Sequence, residues 1–397
     1  MPNKKSVFVE LSILQNVPVG NINRDDTNSV KTGTYGGTQR LRVSSQCKKH
    51  AMRQWWNEHM DVEKLGYRTK YLTTLIAEKI VEKSDVAYDD AVVVATGIVS
   101  ALGIPMEDKP TRKRKNAEGE LEDMELATKS LVMASVRQID AFAELGISEL
   151  EAGTIAVKDG KLEGADKKFD TRCKLLFDLK RHPELQGIDV ALFGRMVAEH
   201  KDMCVDACCC VSHMLSVDPC EIQYDYYSAV DDYENISDNG AAMLDTTQFA
   251  TGDMHGYTSL NVSQLLEELG DKDATIAATD MFIRAYLLSM PTGKQHSFAT
   301  LALPNMSIAH VGSSTTYSTV SAFERAVRAK PGESIRELAA NKLVNYVKRV
   351  DSAYNRDGYD FLFSACEDCD NTSGYGKTYT TIDDYVDAIV TQVVALI

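Results

Sequence analysis

The segment Gly33–Arg53, GTYGGTQRLRVSSQCKKHAMR, constrains the chain most, because the backbone period changes within it from two residues to 3.6. Gly36-Gly37 permits a tight turn or a close approach of backbone. Thr38 to Val43 alternates, setting Arg40 and Arg42 on one face of a short strand and Leu41 and Val43 on the other. Ser44 or Ser45 then caps a helix running to about Glu58. On it Gln46, Lys49 and Arg53 fall at i, i+3 and i+7 and share a face, while Ala51, Met52 and Trp55 belong to the buried side. Such a combination suits a phosphate backbone. Small residues admit the main chain, and a helix start presents N–H groups and a favourable dipole to an anion. A plain capped helix with a solvated cationic face has the same pattern.

Charge distribution sharpens the choice. The chain carries a net −15, so it is not basic all over. Yet residues 31–70 hold nine Lys/Arg against three acids, a local +6, while residues 221–238 hold six acids and no base. A basic stripe on an acidic body is one way to bind nucleic acid; two solvated faces are the ordinary alternative. Apolar residues make up 44%, too many for a disordered chain. No apolar run approaches a membrane span and Met1 to Lys5 leads into no long apolar stretch, so a cytoplasmic protein is expected. Nine cysteines without paired spacing suit a reducing compartment.

Along the rest of the chain, Ser6 to Leu14 alternates as a half-buried strand with Val7, Val9, Leu11 and Ile13 inward. Asn16 to Thr34 reads as a long loop. Residues 60–190 read as mainly helical, with a basic loop at Lys109–Lys115 and a polar hairpin at Gly153–Gly164. Ile188–Phe193 reads as a strand, followed by a helix to about Ser216. Tyr224–Val230 and Ala241–Gly252 read as the arms of a protruding hairpin. Thr258–Val262 and Ser297–Leu303 read as strands, and Ser263–Leu288, Ala322–Ala329 and Ile335–Val350 as helices. This order predicts an α+β fold with long excursions from one sheet.

INRDD (Ile22–Asp26) and YGGTQRLRVSSQCKKHAMR (Tyr35–Arg53) resemble the N-terminal signature of the CasC (Cas seven) family, backbone subunits of type I-E CRISPR Cascade. DVALFGRM (Asp189–Met196), YSAVDD (Tyr227–Asp232), TTQFATG (Thr246–Gly252), LNVSQLLEELG (Leu260–Gly270) and PTGKQHSFA (Pro291–Ala299) follow in order, over about three quarters of the chain. The resemblance implies a modified RRM-like palm, a helical fingers insertion and a β-hairpin thumb. Palm residues 1–59 would be followed by fingers 60–187, palm 188–219, thumb 220–252, and the palm remainder with C-terminal helices 253–397. It implies a non-catalytic subunit without cofactor or metal, whose copies stack head to tail along a crRNA and kink it periodically. Further partners implied are the target DNA strand and the other Cascade subunits: a 5′-handle cap, a 3′-hairpin endonuclease, and large and small subunits. Guide RNA would meet Arg24, Lys31, Ser44, Gln46, Lys49 and Arg53, with Arg40 and Arg42 on the adjoining strand. Met196, Tyr227 and Ser228 would sit at the kinked nucleotide, the last two near the thumb base. His50 stands where the family usually has a basic residue.

Other chemistries are weaker. Asp25-Asp26 beside Arg24 has the composition of a metal-dependent nuclease, as in type III-like backbone subunits, but loop Asp pairs more often cap turns. Cys366-Glu-Asp-Cys369 is a lone CxxC, two ligands short of a zinc site. Cys204, Cys208, Val211 and Leu215 would form an apolar helix face.

Overall fold

A computed structural model describes residues 6–108, 113–115, 121–123, 127–197, 200–229, 243–370 and 374–397. It is α+β, and its chain divides into two compact units. The first comprises Met1–Glu58, Cys209–Ser263 and Ile276–Ile397; the second comprises His59–Cys208 and Gln264–Thr275. No helix among the described residues is long and apolar enough to cross a membrane.

The first unit is built on a large mixed sheet. At its middle runs β1 (Phe8–Gly20), antiparallel to the long strand Met243–Asn261 on one side and to Met306–Gly312 on the other. Beyond Met306–Gly312 lies Gly358–Ser364, then Lys377–Tyr379 in parallel. Beyond Met243–Asn261 come Met214–Ser216, β3 (Thr38–Val43) and, at the edge, β2 (Thr32–Tyr35). The alternation in β1 predicts one wet face, but Glu10 and Ser12 are 5% and 3% exposed. Their face is covered, so their polar atoms need partners. Ser12 Oγ meets Thr319 Oγ1 at 2.6 Å, and Glu10 accepts from Tyr257 Oη and pairs with Arg356, which also reaches Asp351 at 2.9 Å. Behind the sheet the helix Ile335–Tyr354 buries Ala339, Leu343, Val344 and Val347, spaced to put one stripe on the core.

The second unit is mainly helical. Its core gathers Ile76, Ile80, Val94, Ile98, Phe142, Phe169 and Phe177. The helix Val136–Glu151 opens on a capping box: Ser135 Oγ accepts from Gln138 N, and the Gln138 side chain accepts from Ser135 N. Arg195 is buried here, stacked 3.9 Å from the Phe177 ring and donating to Gln138 Oε1 and to Phe177 and Met203 carbonyls.

Several expected elements differ. Ile188–Phe193 is a helix between Gly187 and Gly194, because a six-residue apolar run has no period of its own to choose by. No helix runs on to Ser216; Cys209–Val211 and Met214–Ser216 are strands pairing with Met243–Asn261, so the expected Cys204/Cys208/Val211/Leu215 helix face does not form. Ser297–Leu303 is not a strand: a four-residue helix, Gln295–Phe298, sits between left-handed Lys294 and Ala299. The helix expected at Ala322–Ala329 is a 3-10 turn at Thr319–Phe323. Residues 188–208, assigned to the palm from sequence, fall in the helical unit. Of the basic loop, Lys113–Lys115 pairs with Leu121–Asp123 and residues 109–112 lie outside the described ones.

Candidate nucleic-acid interface

The hairpin β2–β3 turns at Gly36-Gly37 with both φ values positive, 57° and 71°. Any Cβ on Gly36 would run into the carbonyl of Glu324, so both the turn and its neighbour require glycine. After β3 the chain enters α1 (Ser45–His59). Ser44 is its cap: Ser44 Oγ accepts from Cys47 N at 3.3 Å, and Asn23 Oδ1 accepts from Ser44 N at 2.9 Å. The first turn of α1 carries no acidic residue, so the helix itself sets no carboxylate at the positive end of its dipole.

The predicted RNA-facing residues do not all reach one surface. Gln46 is exposed and Lys49 and Arg53 are half-buried on the same side of α1. Lys31 is half-buried, and its backbone N–H donates to Asn23 O while its carbonyl accepts from Arg42 N. Arg42 directs Nε to Thr32 O at 3.1 Å and Nη1 to His213 Nδ1 at 3.2 Å. Burial, then the positive charges of Arg42 and Lys31, hold the His213 pKa below its usual range, so this histidine is neutral at pH 7. Arg40 leaves the set. It is fully buried, and its guanidinium donates to the carbonyls of Ser216, Val217, Phe323 and Glu324, bracing β3 against its neighbours.

Inside α1, Lys48 is buried while Lys49 is not. Its Nζ donates to Ser289 O at 2.6 Å and lies 5.2 Å from the Tyr286 ring. Desolvation lowers its pKa to about 7. Trp56, not Trp55, is the fully buried tryptophan, donating Nε1 to Met281 O. On the adjoining face of α1, His50 and Gln54 join Asn23, exposed Arg24 and Gly293 around a cleft of about 360 Å³. Asp25, beside Arg24, is held by a turn: its Oδ1 accepts from Thr27 N, Thr27 Oγ1 and Ser29 N, and these bonds, led by the Thr27 hydroxyl, lower its pKa. That loop is tied to the long hairpin, since Gln248 accepts from Asn21 Nδ2 and from Val30 N.

The hairpin arms are Gln223–Ala229 and the first part of Met243–Asn261, paired from Gln223↔Phe249 to Ala229↔Met243. Residues 230–242, including Asp231, Asp232 and Glu234, lie outside the described ones. The first arm is exposed throughout, with Tyr224 and Tyr226 67% and 65% exposed. Register puts Tyr224, Tyr226 and Ser228 on one face and Tyr227 on the other, where its hydroxyl donates to Asp245 Oδ2 at 3.1 Å. Tyr227 and Ser228 thus point apart, part-way along the arm rather than at its base. At the base Phe249 and Phe298 rings lie 6.2 Å apart and Lys294 Nζ donates to Thr247 Oγ1. Lys294 is a cation beside the hairpin base that the sequence reading did not single out, although it lies within the PTGKQHSFA motif.

A family profile described as CT1975-like protein matches residues 9–388. The chain belongs to this family. No curated protein matches it. Among solved structures, this CT1975-like chain is similar to one in a "CRISPR RNA-guided surveillance complex, pre-nicking", with a TM-score of 0.78 and 28% identity. That likeness covers 97% of this chain and 99% of the other. A second, from a "CRISPR RNA-guided surveillance complex", has a TM-score of 0.70 and 25% identity over 97% and 99% of the two chains. In this CT1975-like protein Met196, the remaining predicted site residue, belongs to the helical unit and is 83% exposed. The backbone beside it is fixed by buried Arg195, whose N–H and C=O both bond to Val205.

Proposed function

We propose that the chain is a multi-copy backbone subunit of a type I-E CRISPR interference complex, binding crRNA along its spacer and supporting pairing with target DNA. One observation carries the reading above others: near-complete two-way coverage of a chain from an RNA-guided surveillance complex, at a TM-score of 0.78. The interface agrees with it. Lys31, Arg42, Lys49 and Arg53 offer cations, and the α1 N-terminus offers N–H donors with no carboxylate in its own first turn. Contacts to phosphate carry no sequence information, which a subunit serving any guide requires. Tyr227 supplies a face for a splayed base, and Met196 an apolar surface. Ser228, expected at the kinked nucleotide with Tyr227, lies instead with Tyr224 and Tyr226 on the opposite hairpin face. The subunit works without cofactor in the cytoplasm, beside the handle-capping, hairpin-bound, large and small subunits. Asp25 is occupied as a turn cap, which favours a positioning loop over the RNase of type III-like relatives.

Purification of the tagged chain co-expressed with a spacer-bearing RNA tests the reading. Bound RNA of one defined length, containing the spacer, is the expected result. RNA-free protein, or cellular RNA of all lengths and sequences with the spacer not enriched, overturns it.

A further inference from the structure

The last antiparallel strand of the large sheet, Gly358–Ser364, ends beside a pair of cysteines that the proposed function does not use. Ala365 N donates to Asn305 O, and the chain then enters the short helix Glu367–Asp370. Cys366 stands just before it, half-buried, and Cys369 inside it, fully buried in the core beside the helix Ile335–Tyr354. The turn is held by Cys369 N and Ser364 Oγ, both donating to Cys366 O, at 3.0 and 3.1 Å. The two Sγ atoms lie 3.0 Å apart, with the Cys366 thiol aimed at its neighbour. Residues three apart on a helical turn hold their Cβ atoms about 5–6 Å apart, and a disulfide draws them to about 3.5–4.5 Å, so bond formation needs this turn to tighten by about 1 Å. No group of three His, Cys, Asp or Glu side chains able to hold a metal occurs among the described residues, so the pair is not half of a larger ligand set there.

We propose that Cys366 and Cys369 are a reversible disulfide-forming site whose oxidant is a small-molecule disulfide. The unequal burial assigns the order of events. The Cys366 thiolate attacks one sulfur of the oxidant; the S–S bond of the oxidant breaks, one thiolate leaves, and Cys366 carries a mixed disulfide. Cys369, shielded from the oxidant but in contact with Cys366, loses its proton to the departing thiolate or to water. Its sulfur attacks Cys366 Sγ, releasing the second thiolate. The protein gives up two electrons and two protons, and the oxidant becomes two thiols. The new bond closes the four-residue turn Cys366–Cys369 that follows Gly358–Ser364.

Intact full-length protein is equilibrated with graded ratios of oxidised to reduced glutathione, alkylated, and mapped by mass spectrometry. The expected product lacks two hydrogens, loses two alkylation sites, and yields one peptide in which Cys366 is joined to Cys369. Cys366→Ser abolishes the product and leaves Cys369 unmodified by glutathione. Cys369→Ser stops the reaction at glutathionylated Cys366; should that variant not fold, the Cys366→Ser result decides alone. Exposed Cys210 is the internal standard for an accessible thiol. The proposal fails if Cys366 in the unaltered chain accumulates as a glutathione adduct. It fails equally if both thiols remain alkylatable at every ratio that modifies Cys210. Neither outcome bears on the RNA-binding reading.

Discussion

Lys48 and Lys49 are adjacent and chemically alike, and the fold sends them to opposite environments. Lys49, with Arg53, faces the side proposed for RNA. Lys49→Ala and Arg53→Ala should each weaken binding equally for unrelated guide sequences and lower the log–log salt slope by roughly 0.7, the value for one single-strand phosphate. Loss confined to one guide sequence would indicate base readout instead. Lys48 acts on stability. Its folded pKa of about 7 lies below the usual lysine value of about 10.5, so the folded state favours the neutral amine while the unfolded chain is protonated. Stability therefore falls as pH drops from about 10.5 towards about 7, by at most about 1.4 kcal/mol per unit, and this contribution is constant below that. Denaturant titrations at several pH values should show this slope in the native protein and lose it in Lys48→Met; parallel slopes would contradict the assignment. A sequence cannot rank two consecutive lysines, because helical phase has to be fixed by packing. The same one-residue uncertainty, about 100° of helical phase, put Trp55 in the core in place of Trp56. Arg40 was likewise unreadable: alternation puts it on one face with Arg42, and only the covering carbonyls of Phe323 and Glu324, nearly three hundred residues away, reveal that its end of that face is closed.

At the scale of elements, the turn, strand and helix from Gly36 to His59 were legible because glycine turn, alternation and serine cap all agree locally, whereas β2 (Thr32–Tyr35) and the end of β1 fell in what reads as a long loop. Ser44→Ala removes the cap and should cost about 1 kcal/mol of stability, measured by chemical denaturation. A loss indistinguishable from zero would mean that Asn23 alone holds the helix start. The arms of the hairpin were legible too, from their aromatic alternation, but turn chemistry could not fix the register. Register decides that Tyr227 and Ser228 diverge. Tyr227→Ala should weaken RNA binding by ~1–3 kcal/mol, the worth of stacking one base, whereas Ser228→Ala should leave single-copy RNA affinity unchanged. Equal losses from both would contradict the two-faced arm. Where the sequence misled, at Ile188–Phe193 and Ser297–Leu303, the segments are short, apolar and flanked by glycine or left-handed residues. Tertiary burial, absent from any local pattern, chose their conformation.

Across the whole molecule, the ordered motifs from Ile22 to Ala299 pointed to a subunit of a CRISPR RNA-guided complex, in keeping with the solved structures it resembles, while the boundary between the two units did not follow them. Residues 188–208 carry a family motif yet pack with the helices, because membership in a unit is set by which core a segment buries into. The proposed subunit should not cut nucleic acid: with magnesium or manganese, complementary RNA and DNA should stay intact in the assembled complex. Regularly spaced cuts abolished by Asp25→Ala or Asp26→Ala would reassign it as a nuclease. Head-to-tail stacking of unlike surfaces builds an open filament whose length the RNA sets. The direct measurement is particle mass by light scattering on guides of stepwise increasing spacer length. The account predicts mass rising in steps of one protomer as the spacer lengthens, with no growth in the absence of RNA. A mass that stays at a single copy on every guide, or filaments that form equally well without RNA, would contradict it.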